Sequence, residues 1–512
     1  MRTFFANATV LSVDTRSTEA RAAPPREGAG RAAGALLHWG WATALFLLYT
    51  TVAVRRHLLL RTTGYDLGIF EQAVRGYAHF RAPVVPLRGE GFNLLGDHFH
   101  PLVAMLAPLY RIWPSPLCLL VAQSALLAVA VVPLARWADR SLGRQAAHIV
   151  ACAYGMSWGI ASAAAFDFHE VALAVPLLSF ALEALGRRRW RQAVVWAVPL
   201  LLVKEDLGLT LAAVGGYIAW KGPRRLGILT AAAGLIGSAI EIKLLLPAFN
   251  PGGGYAHGAN LAEAHGSLLA TIAFAPLDVL RPDVKAMTLV LVFAPSALVA
   301  LRSPLSLIAV PTLGWRMLSE NVFHWGTAFH YSAVLMPVVF AGLIDALTRY
   351  REAAPGQPLA ARHLRASLLT VIGVTVVLLP SFPLAQLAQR ATWRSTPHIE
   401  AAQALLRRIP DGVTVAASNR LVPQLTSRCE VVVFPTWPVE GHLYEYERTR
   451  LPRPTAQWII HDRSAPEAWP YKTGHWPYPI EQQLAELEAA KRSYGYEVVA
   501  ERDGITLLRR RS

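Results

Sequence analysis

Acidic and histidine side chains collect in short patches between the long apolar stretches of this chain. The patch YDLGIFEQ contains Asp66, and the later patch LLGDHFHP contains Asp97 and His98. A carboxylate can take the proton of a substrate hydroxyl as a general base, and a histidine or a second carboxylate can orient that substrate or hold a metal ion. Asp66, Asp97 and His98 are therefore the candidate catalytic residues.

Three further patches, FDFHE, LLVKEDLGLT and FHYSAVLMP, offer groups that could bind a substrate. Ionisable residues flanked so closely by apolar sequence are costly unless they are paired or face a wet cavity, which favours a functional interpretation. The candidate substrate-binding residues in these patches are His169, Glu170, Lys204, Glu205, Asp206, His330 and Tyr331.

Two isolated cations, Lys243 and Arg316, stand near the ends of apolar stretches. Arginine suits phosphate because its guanidinium can donate two parallel hydrogen bonds, so these residues and Lys204 could form a basic pocket for a lipid phosphate. The alternative is that the two side chains reach along the apolar surface to lipid headgroups.

Each patch also has a structural interpretation. Asp66 could cap an amphipathic helix on the outer surface, predicted over residues 65–80, as readily as it could act as a base. Glu71 and Arg75 would form a surface ion pair on that helix. The charges of KED could neutralise one another in a turn, and PGGGYAHG could be either a lid or a plain linker.

The elements that must position these patches are membrane helices. Hydrophobic residues make up 54% of the 512 residues and charged residues only 16%, whereas soluble domains carry about 25% charged residues. The net charge is +15, but the arginines cluster between apolar runs, which is typical of membrane topology and not of nucleic-acid binding. The three cysteines have no spacing that suggests zinc or a disulfide framework.

Windows long enough to cross a bilayer predict about eleven spans. These windows cover residues 35–54, 115–137, 146–165, 171–186, 192–203, 207–220, 226–247, 285–301, 304–317, 331–347 and 367–388. Alternate connections are rich in arginine, which places them and a tail of residues 1–34 in the cytoplasm. The patches then lie outside, and residues 101–112 dip into the outer interface. Residues 35–390 form the transmembrane domain.

The segment 391–512 alternates helix and strand patterns, which predicts a small extracytoplasmic α/β domain. Strands are expected in VTVAAS, EVVVFP and WIIHD, helices in HIEAAQALLRRI and EQQLAELEAAKRSYG, and a hairpin around Asp503-Gly504. Aromatic and proline residues are dense between Pro435 and Pro479, which suits a surface loop.

In their order and spacing, the patches resemble the multispan membrane proteins called Domain of Unknown Function 2079 (DUF2079). The resemblance runs from about Tyr65 into the tail, where VAASNRLVPQLTSR is similar to the family's outer domain. That family is grouped by similarity with the GT-C glycosyltransferases, polytopic enzymes that use polyprenyl-phosphate sugars on the outer face. The resemblance implies that Asp66 is the base, with Mg²⁺ or Mn²⁺ as a candidate cofactor whose ligands stay open.

The leading hypothesis is a GT-C-like, inverting glycosyltransferase that moves a sugar from a polyprenyl-phosphate carrier to a cell-envelope glycan, lipid or protein. The outer α/β domain would bind the acceptor or a partner. A transporter or flippase of a lipid-linked or envelope precursor is the alternative, since broken helices and charges also mark transport sites. A third hypothesis, a non-catalytic anchor for the outer domain, leaves FDFHE and KEDLG without a purpose.

Overall fold

The computed structural model of the protein describes residues 27–255, 257, 270, 273–274, 277–435, 454–464 and 479–511. Most of the predicted cytoplasmic tail, residues 1–26, lies outside this part of the chain, as does most of the aromatic-rich stretch, residues 436–453 and 465–478.

Helices dominate the chain as far as residue 406. The first half contains α1 (Glu27–Leu58), α2 (Ile69–Ala78), α3 (Ala107–Ile112), α4 (Pro116–Val129), α5 (Val131–Leu142), α6 (Arg144–Met156), α7 (Trp158–Ala165), α8 (Val171–Gly186), α9 (Trp190–Ala197), α10 (Leu207–Lys221), α11 (Arg224–Ile240) and α12 (Leu246–Phe249). The second half contains α13 (Asp283–Phe293), α14 (Val310–Leu318), α15 (Leu335–Ala353), α16 (Pro358–Leu378), α17 (Pro397–Leu406) and α18 (Ile480–Ser493).

Four helical stretches of the described chain are long and apolar enough to cross a bilayer, which requires about 20 residues. They are Gly34–Leu58, Pro116–Leu142, Arg224–Phe249 and Pro358–Ser381. Other predicted spans coincide with shorter helices such as α8 and α10, and the predicted 192–203 span divides into α9 and a 3₁₀ turn, Val198–Leu202. The count of eleven stays a prediction.

Helices α10 and α11 pack closely because glycines face each other across them. A methyl group on Gly227 would lie 2.1 Å from the backbone nitrogen of Ala219, and one on Gly215 would lie 2.3 Å from that of Ala231. Small residues allow such backbone contact between membrane helices. The contact brings Ser238 of α11 against the KED patch, where its hydroxyl donates to the carbonyl oxygen of Glu205 at 2.5 Å.

The helix that was predicted for the first outer loop is shorter and far more buried than expected. It covers Ile69–Ala78 instead of 65–80, and both of its faces carry buried residues, including Phe70, Glu71 and Val74. The predicted surface ion pair of Glu71 is wrong, because Glu71 is fully buried and accepts hydrogen bonds from Tyr110 and Thr426. The α/β segment covers the face that was expected to meet solvent.

The C-terminal segment contains a five-stranded sheet. Its strands are β1 (Thr414–Ala417), β2 (Glu430–Val433), β3 (Trp458–Asp462), β4 (Tyr496–Arg502) and β5 (Ile505–Arg510), in the order β2-β1-β3-β5-β4. β1 pairs in parallel with β2 and β3, and β5 pairs antiparallel with β3 and β4. The small α/β layer that alternating patterns predicted is therefore present.

Local sequence explains the ends of these elements. Thr396 accepts a hydrogen bond from the Ile399 amide and caps α17. Asp503 and Gly504 both have positive φ, 47° and 80°, as a two-residue hairpin turn requires.

Residues 101–112 form a 3₁₀ turn, Pro101–Leu106, followed by α3. Met105, Leu109 and Ile112 are exposed, which an interfacial segment would need. The position of this segment relative to the membrane stays a prediction.

Candidate active site

A cavity of about 290 Å³ opens where the loop between α1 and α3, the KED patch and the FHYS patch meet. Most of the predicted site residues line it, although they come from positions far apart in the sequence. These residues are Asp66, Asp97, His98, His169, Lys204, Glu205, Asp206, His330 and Tyr331. The remaining wall is largely aromatic and apolar, with Tyr65, Phe70, Trp315, Phe323 and Phe329 among its side chains.

Asp66 faces this cavity from a sharp turn, and it does not cap a helix. Its φ and ψ are 94° and −79°, a region that residues with a side chain rarely occupy, and no side-chain cap is formed at either end of the turn. Asp167 holds the start of the turn, because its Oδ2 accepts from the Thr63 amide at 3.0 Å and the Thr63 hydroxyl at 2.5 Å. The N-cap interpretation of Asp66 is therefore wrong.

The electrostatic surroundings of Asp66 disfavour its charge. The side chain is 27% exposed, and that exposed part faces the cavity. Burial raises the pKa of Asp66 well above its ordinary value, and the carboxylates of Asp167 and Glu170 raise it further, while Lys204 opposes the shift. A carboxylate with a raised pKa is a stronger base when it is ionised.

Glu170 lies behind Asp66 and joins two cavity residues. Its Oε1 is 3.0 Å from the Lys204 ammonium, and its Oε2 is 2.5 Å from His169 Nδ1. The other ring nitrogen of His169 is 3.9 Å from Asp66 Oδ1. The His330 ring stacks on His169 with centroids 3.3 Å apart. The arrangement forms a row of ionisable groups, Lys204, Glu170, His169 and Asp66.

A second cluster also lines the cavity. Asp97 Oδ1 accepts from Arg88 at 2.8 Å and lies 3.2 Å from His257 Nε2. Burial alone would raise the pKa of Asp97, but Arg88 together with the hydrogen bond to His257 holds it well below its ordinary value. Asp97 is therefore ionised and is a poor proton acceptor, in contrast to Asp66.

His98 of this cluster pairs with Glu205. His98 Nδ1 is 2.7 Å from Glu205 Oε1, and the Tyr255 hydroxyl donates to the same oxygen at 3.1 Å. Burial lowers the pKa of His98, but the charge of Glu205, the hydrogen bond to it and the Asp97 charge together outweigh burial, and the net shift is upward. The His98 ring stacks on His257 with centroids 4.4 Å apart and planes 4° apart.

Asp97, His98 and His257 fit a metal ion by geometry and chemistry. One ligand atom from each lies within 4.8 Å of the others, the only such group of three or more among the described residues. Two imidazoles and one carboxylate suit Mn²⁺ or Zn²⁺ better than Mg²⁺, which prefers an all-oxygen environment.

Two predicted phosphate ligands do not line the cavity. Lys243 is exposed, because it lies in a π-turn, Glu241–Leu245, that directs Glu241 into the protein. Arg316 is fully buried, and it donates to the carbonyl oxygen of His324 at 3.0 Å and to the Ser332 hydroxyl at 3.0 Å. Among the three predicted cations, Lys204 alone lines the cavity.

Several cavity residues were missed by the sequence interpretation. Tyr255 and His257 belong to the glycine-rich PGGGYAHG segment, which was treated as a lid or linker, and its aromatic and imidazole side chains were the available signal. Trp315 lies in a predicted span and donates to Asp206 Oδ2 at 2.9 Å. Arg88 was not distinguished from other loop arginines.

Comparison with known proteins gives a family and a fold. The family described as "Predicted membrane protein (DUF2079)" matches residues 56–507. The structure is similar to the crystal structure of ArnT from Cupriavidus metallidurans in the apo state, with a TM-score of 0.51 and 14% sequence identity over 92% of this chain and 97% of that chain. No curated protein sequence matches the chain.

Proposed function

The chain belongs to the DUF2079 family of predicted membrane proteins and has the fold of ArnT, and from this premise we propose that it is a membrane glycosyltransferase. It transfers a sugar from a polyprenyl-phosphate carrier to a cell-envelope glycan, lipid or protein. The reaction takes place on the outer face, with the N-terminus in the cytoplasm and the α/β domain outside. The sequence patches resemble a family that is grouped with the GT-C glycosyltransferases, and this resemblance together with the ArnT-like fold supports the proposal.

One observation carries the proposal: the same cavity contains a carboxylate with a raised pKa, Asp66, and a buried ammonium, Lys204. Its volume of about 290 Å³ is at the small end of ligand sites and suits a sugar phosphate better than a whole lipid. The prenyl chain would then lie along the exposed apolar surface of the helices.

In this mechanism Asp66 takes the proton of the acceptor hydroxyl as that oxygen attacks C1 of the donor sugar. The new oxygen–C1 bond forms on the face opposite the phosphate, the C1–O bond to phosphate breaks, and the configuration at C1 inverts. The electron pair leaves with the polyprenyl phosphate. Lys204 has three N–H donors, so it can remain paired with Glu170 while another N–H stabilises the departing phosphate.

Other cavity groups orient the reactants. The Glu170 charge fixes the His169 ring, which places His169 Nε2 on the side of Asp66. Asp206, Glu205, His330 and Tyr331 are placed to accept or donate hydrogen bonds to sugar hydroxyls.

Asp97 and His98, with His257, orient the acceptor or hold a divalent cation. A cation bound there would neutralise charge on the phosphate. The cavity lining contains four carboxylates, Asp66, Asp97, Glu205 and Asp206, against the cations Arg88 and Lys204. Because an excess of carboxylates repels a phosphate, a cation bound in the cavity would make the entry of the donor phosphate more favourable.

The test is Asp66→Asn in purified protein reconstituted into liposomes with undecaprenyl-phosphate-linked radiolabelled sugars and an envelope extract. We expect transfer to fall by about 1,000-fold, because a lost general base costs 10²–10⁴-fold. Asp345→Asn is the matched control, since Asp345 accepts from Ser303 at 2.6 Å and does not line the cavity. Retained transfer in Asp66→Asn would remove Asp66 as the base.

A further inference from the structure

The α/β domain touches the turn that carries Asp66. Residues 418–431, which connect β1 to β2 and include the start of β2, lie against the turn Gly64–Gly68 and against α2. We call these residues the clamp segment.

Asn419 of the clamp segment makes the polar contacts to the turn. Its side-chain oxygen accepts from the Gly64 amide at 2.9 Å and from the Tyr65 amide at 3.2 Å. Its backbone oxygen also accepts from the Gly64 amide, at 2.7 Å. The Asn419 side chain is buried, so these bonds are shielded from water and are costly to lose.

Val422 of the clamp segment fills the remaining space beside the turn. A methyl group on Gly64 would lie 2.8 Å from Val422 Cβ, and one on Gly68 would lie 2.9 Å from Val422 Cγ1. Both distances are shorter than van der Waals contact. The two glycines therefore allow the α/β domain to approach the backbone on either side of Asp66.

The helix that follows the turn is held by the same segment. Arg75 donates to the carbonyl oxygens of Thr426 and Cys429, both at 2.9 Å. Gln72 donates to the carbonyl oxygen of Val431 at 2.8 Å. The turn and the helix are thus fixed together against one face of the domain.

Asp66 needs such support because its backbone is strained. A residue with a side chain at φ 94° and ψ −79° persists only where surrounding contacts determine its conformation. Asp167 holds the turn from the transmembrane side, and Asn419 holds it from the outer side.

We propose that the clamp segment positions the Asp66 carboxylate in the cavity and that Asn419 is the principal positioning residue. The proposal rests on the function proposed for Asp66. It gives the α/β domain a role in catalytic geometry, whatever acceptor or partner its other faces bind. Activity then depends on docking of the domain, since the turn relaxes without it.

The first experiment measures hydrogen–deuterium exchange in Asn419→Ala. We expect exchange of a peptide covering residues 63–68 to accelerate by about tenfold, because the Tyr65 amide loses the Asn419 side-chain oxygen and the Gly64 amide keeps only the Asn419 backbone oxygen. Peptides from β1 and β3 should exchange as in the wild type. Gln457→Ala is the matched control, because that amide bonds only within the sheet, to Thr414, and should leave residues 63–68 unchanged. Unchanged exchange at 63–68 in Asn419→Ala would overturn the proposal.

The second readout is transfer by the same variant. We expect kcat to fall by about 100-fold with little change in KM for the undecaprenyl-phosphate sugar, since a misplacement of about 1 Å costs that much. Faster exchange with unchanged kcat, in a preparation where Asp66→Asn is inactive, would also overturn it. If Asp66→Asn instead stays active, the proposed base is wrong, and the exchange result still decides whether the clamp segment holds the turn.

A pair of steric variants keeps the test independent of Asn419. Gly64→Ala pushes a methyl group against Val422, 2.8 Å from its Cβ and Cγ1 and 3.1 Å from its Cγ2, and should lower kcat as Asn419→Ala does. Val422→Gly removes these three atoms, so adding it to Gly64→Ala should restore at least tenfold of the lost kcat. If the double variant is no better than Gly64→Ala, the contact does not position Asp66.

Discussion

The two ends of helix α8 carry buried glutamates in opposite circumstances. Glu183, near the C-terminal end, is 3% exposed and accepts aligned hydrogen bonds from Arg136, at 2.8 Å from Nε, and from Arg140 and Arg187. Glu170, just before the N-terminal end, is fully buried and lies within ion-pair distance of Lys204 and His169. Neither of its oxygens forms an aligned hydrogen bond with the described residues.

The two clusters differ in how completely their charges are paired. At the arginine-rich end, three arginines surround the Glu183 carboxylate, and its oxygens accept hydrogen bonds from all three. At the cavity end, charged groups are close but imperfectly paired, the backbone of Asp66 is strained, and Asp206 Oδ1 has no hydrogen-bond partner among the described residues. Proteins tolerate such cost where a ligand completes the site. Charge alone therefore does not distinguish the two ends of α8, whereas incomplete pairing beside a cavity makes the Glu170 end the candidate site.

Within this comparison of the two glutamates, the largest expected effect comes from Glu170→Gln. Glu170→Gln should lower kcat by about 100-fold, because His169 and Lys204 lose the charge that orients them. Glu183→Gln should leave transfer within about twofold but lower stability by about 1–3 kcal/mol, less than for a fully buried pair because its arginines are partly exposed. Transfer assays measure the kcat of both variants, and thermal unfolding in the same detergent measures their stability.

The comparison fails if the two variants behave alike. Equal loss of transfer would mean that a substitution at either end of α8 disturbs the cavity through the helix. Loss of stability without loss of kcat in Glu170→Gln would make Glu170 a structural residue.

The next effect concerns pH. Because the Asp66 pKa is raised, mainly by burial, Asp66 is protonated and inactive as a base at low pH. The kcat/KM for transfer should therefore rise about tenfold per pH unit up to a pKa well above 3.8, and then level off. Lys204 opposes the shift, so in Lys204→Met the kcat/KM should level off at still higher pH. In Glu183→Gln it should level off at the same pH as in the wild type. A kcat/KM that levels off near the ordinary carboxyl pKa would contradict the assignment of Asp66 as the general base.

Local patterns predicted the elements well and the cavity only in part. The strands in VTVAAS, EVVVFP and WIIHD and the Asp503-Gly504 hairpin were expected, since alternation and turn chemistry are local properties. The charged patches flanked by apolar sequence do meet around one cavity, because each stands where a helix starts or ends.

Local sequence could not predict which side chains are buried by residues distant in the chain. Glu71 was assigned to the surface because nothing near it in sequence shows that Thr426 and Tyr110 cover it. Lys243 was assigned to a phosphate pocket because it is an isolated cation near the end of an apolar stretch, whereas the structure leaves it exposed in the π-turn Glu241–Leu245. Arg316 was assigned there too, but backbone carbonyl oxygens occupy its guanidinium.

The smallest expected effect tests the cavity end for a metal ion. If Asp97, His98 and His257 hold one, His257→Ala should weaken Mn²⁺ binding by more than about tenfold, since even outer partners of metal ligands contribute that much. His363→Ala is the matched control, because His363 is bonded to the Tyr350 hydroxyl at 2.9 Å and does not line this cavity. Calorimetric titration of each purified variant with Mn²⁺ measures the affinity. Equal affinity in both variants would mean that these three residues orient the acceptor through the Arg88–Asp97 and His98–Glu205 pairs, and that the cation, if one is used, enters with the phosphate of the donor.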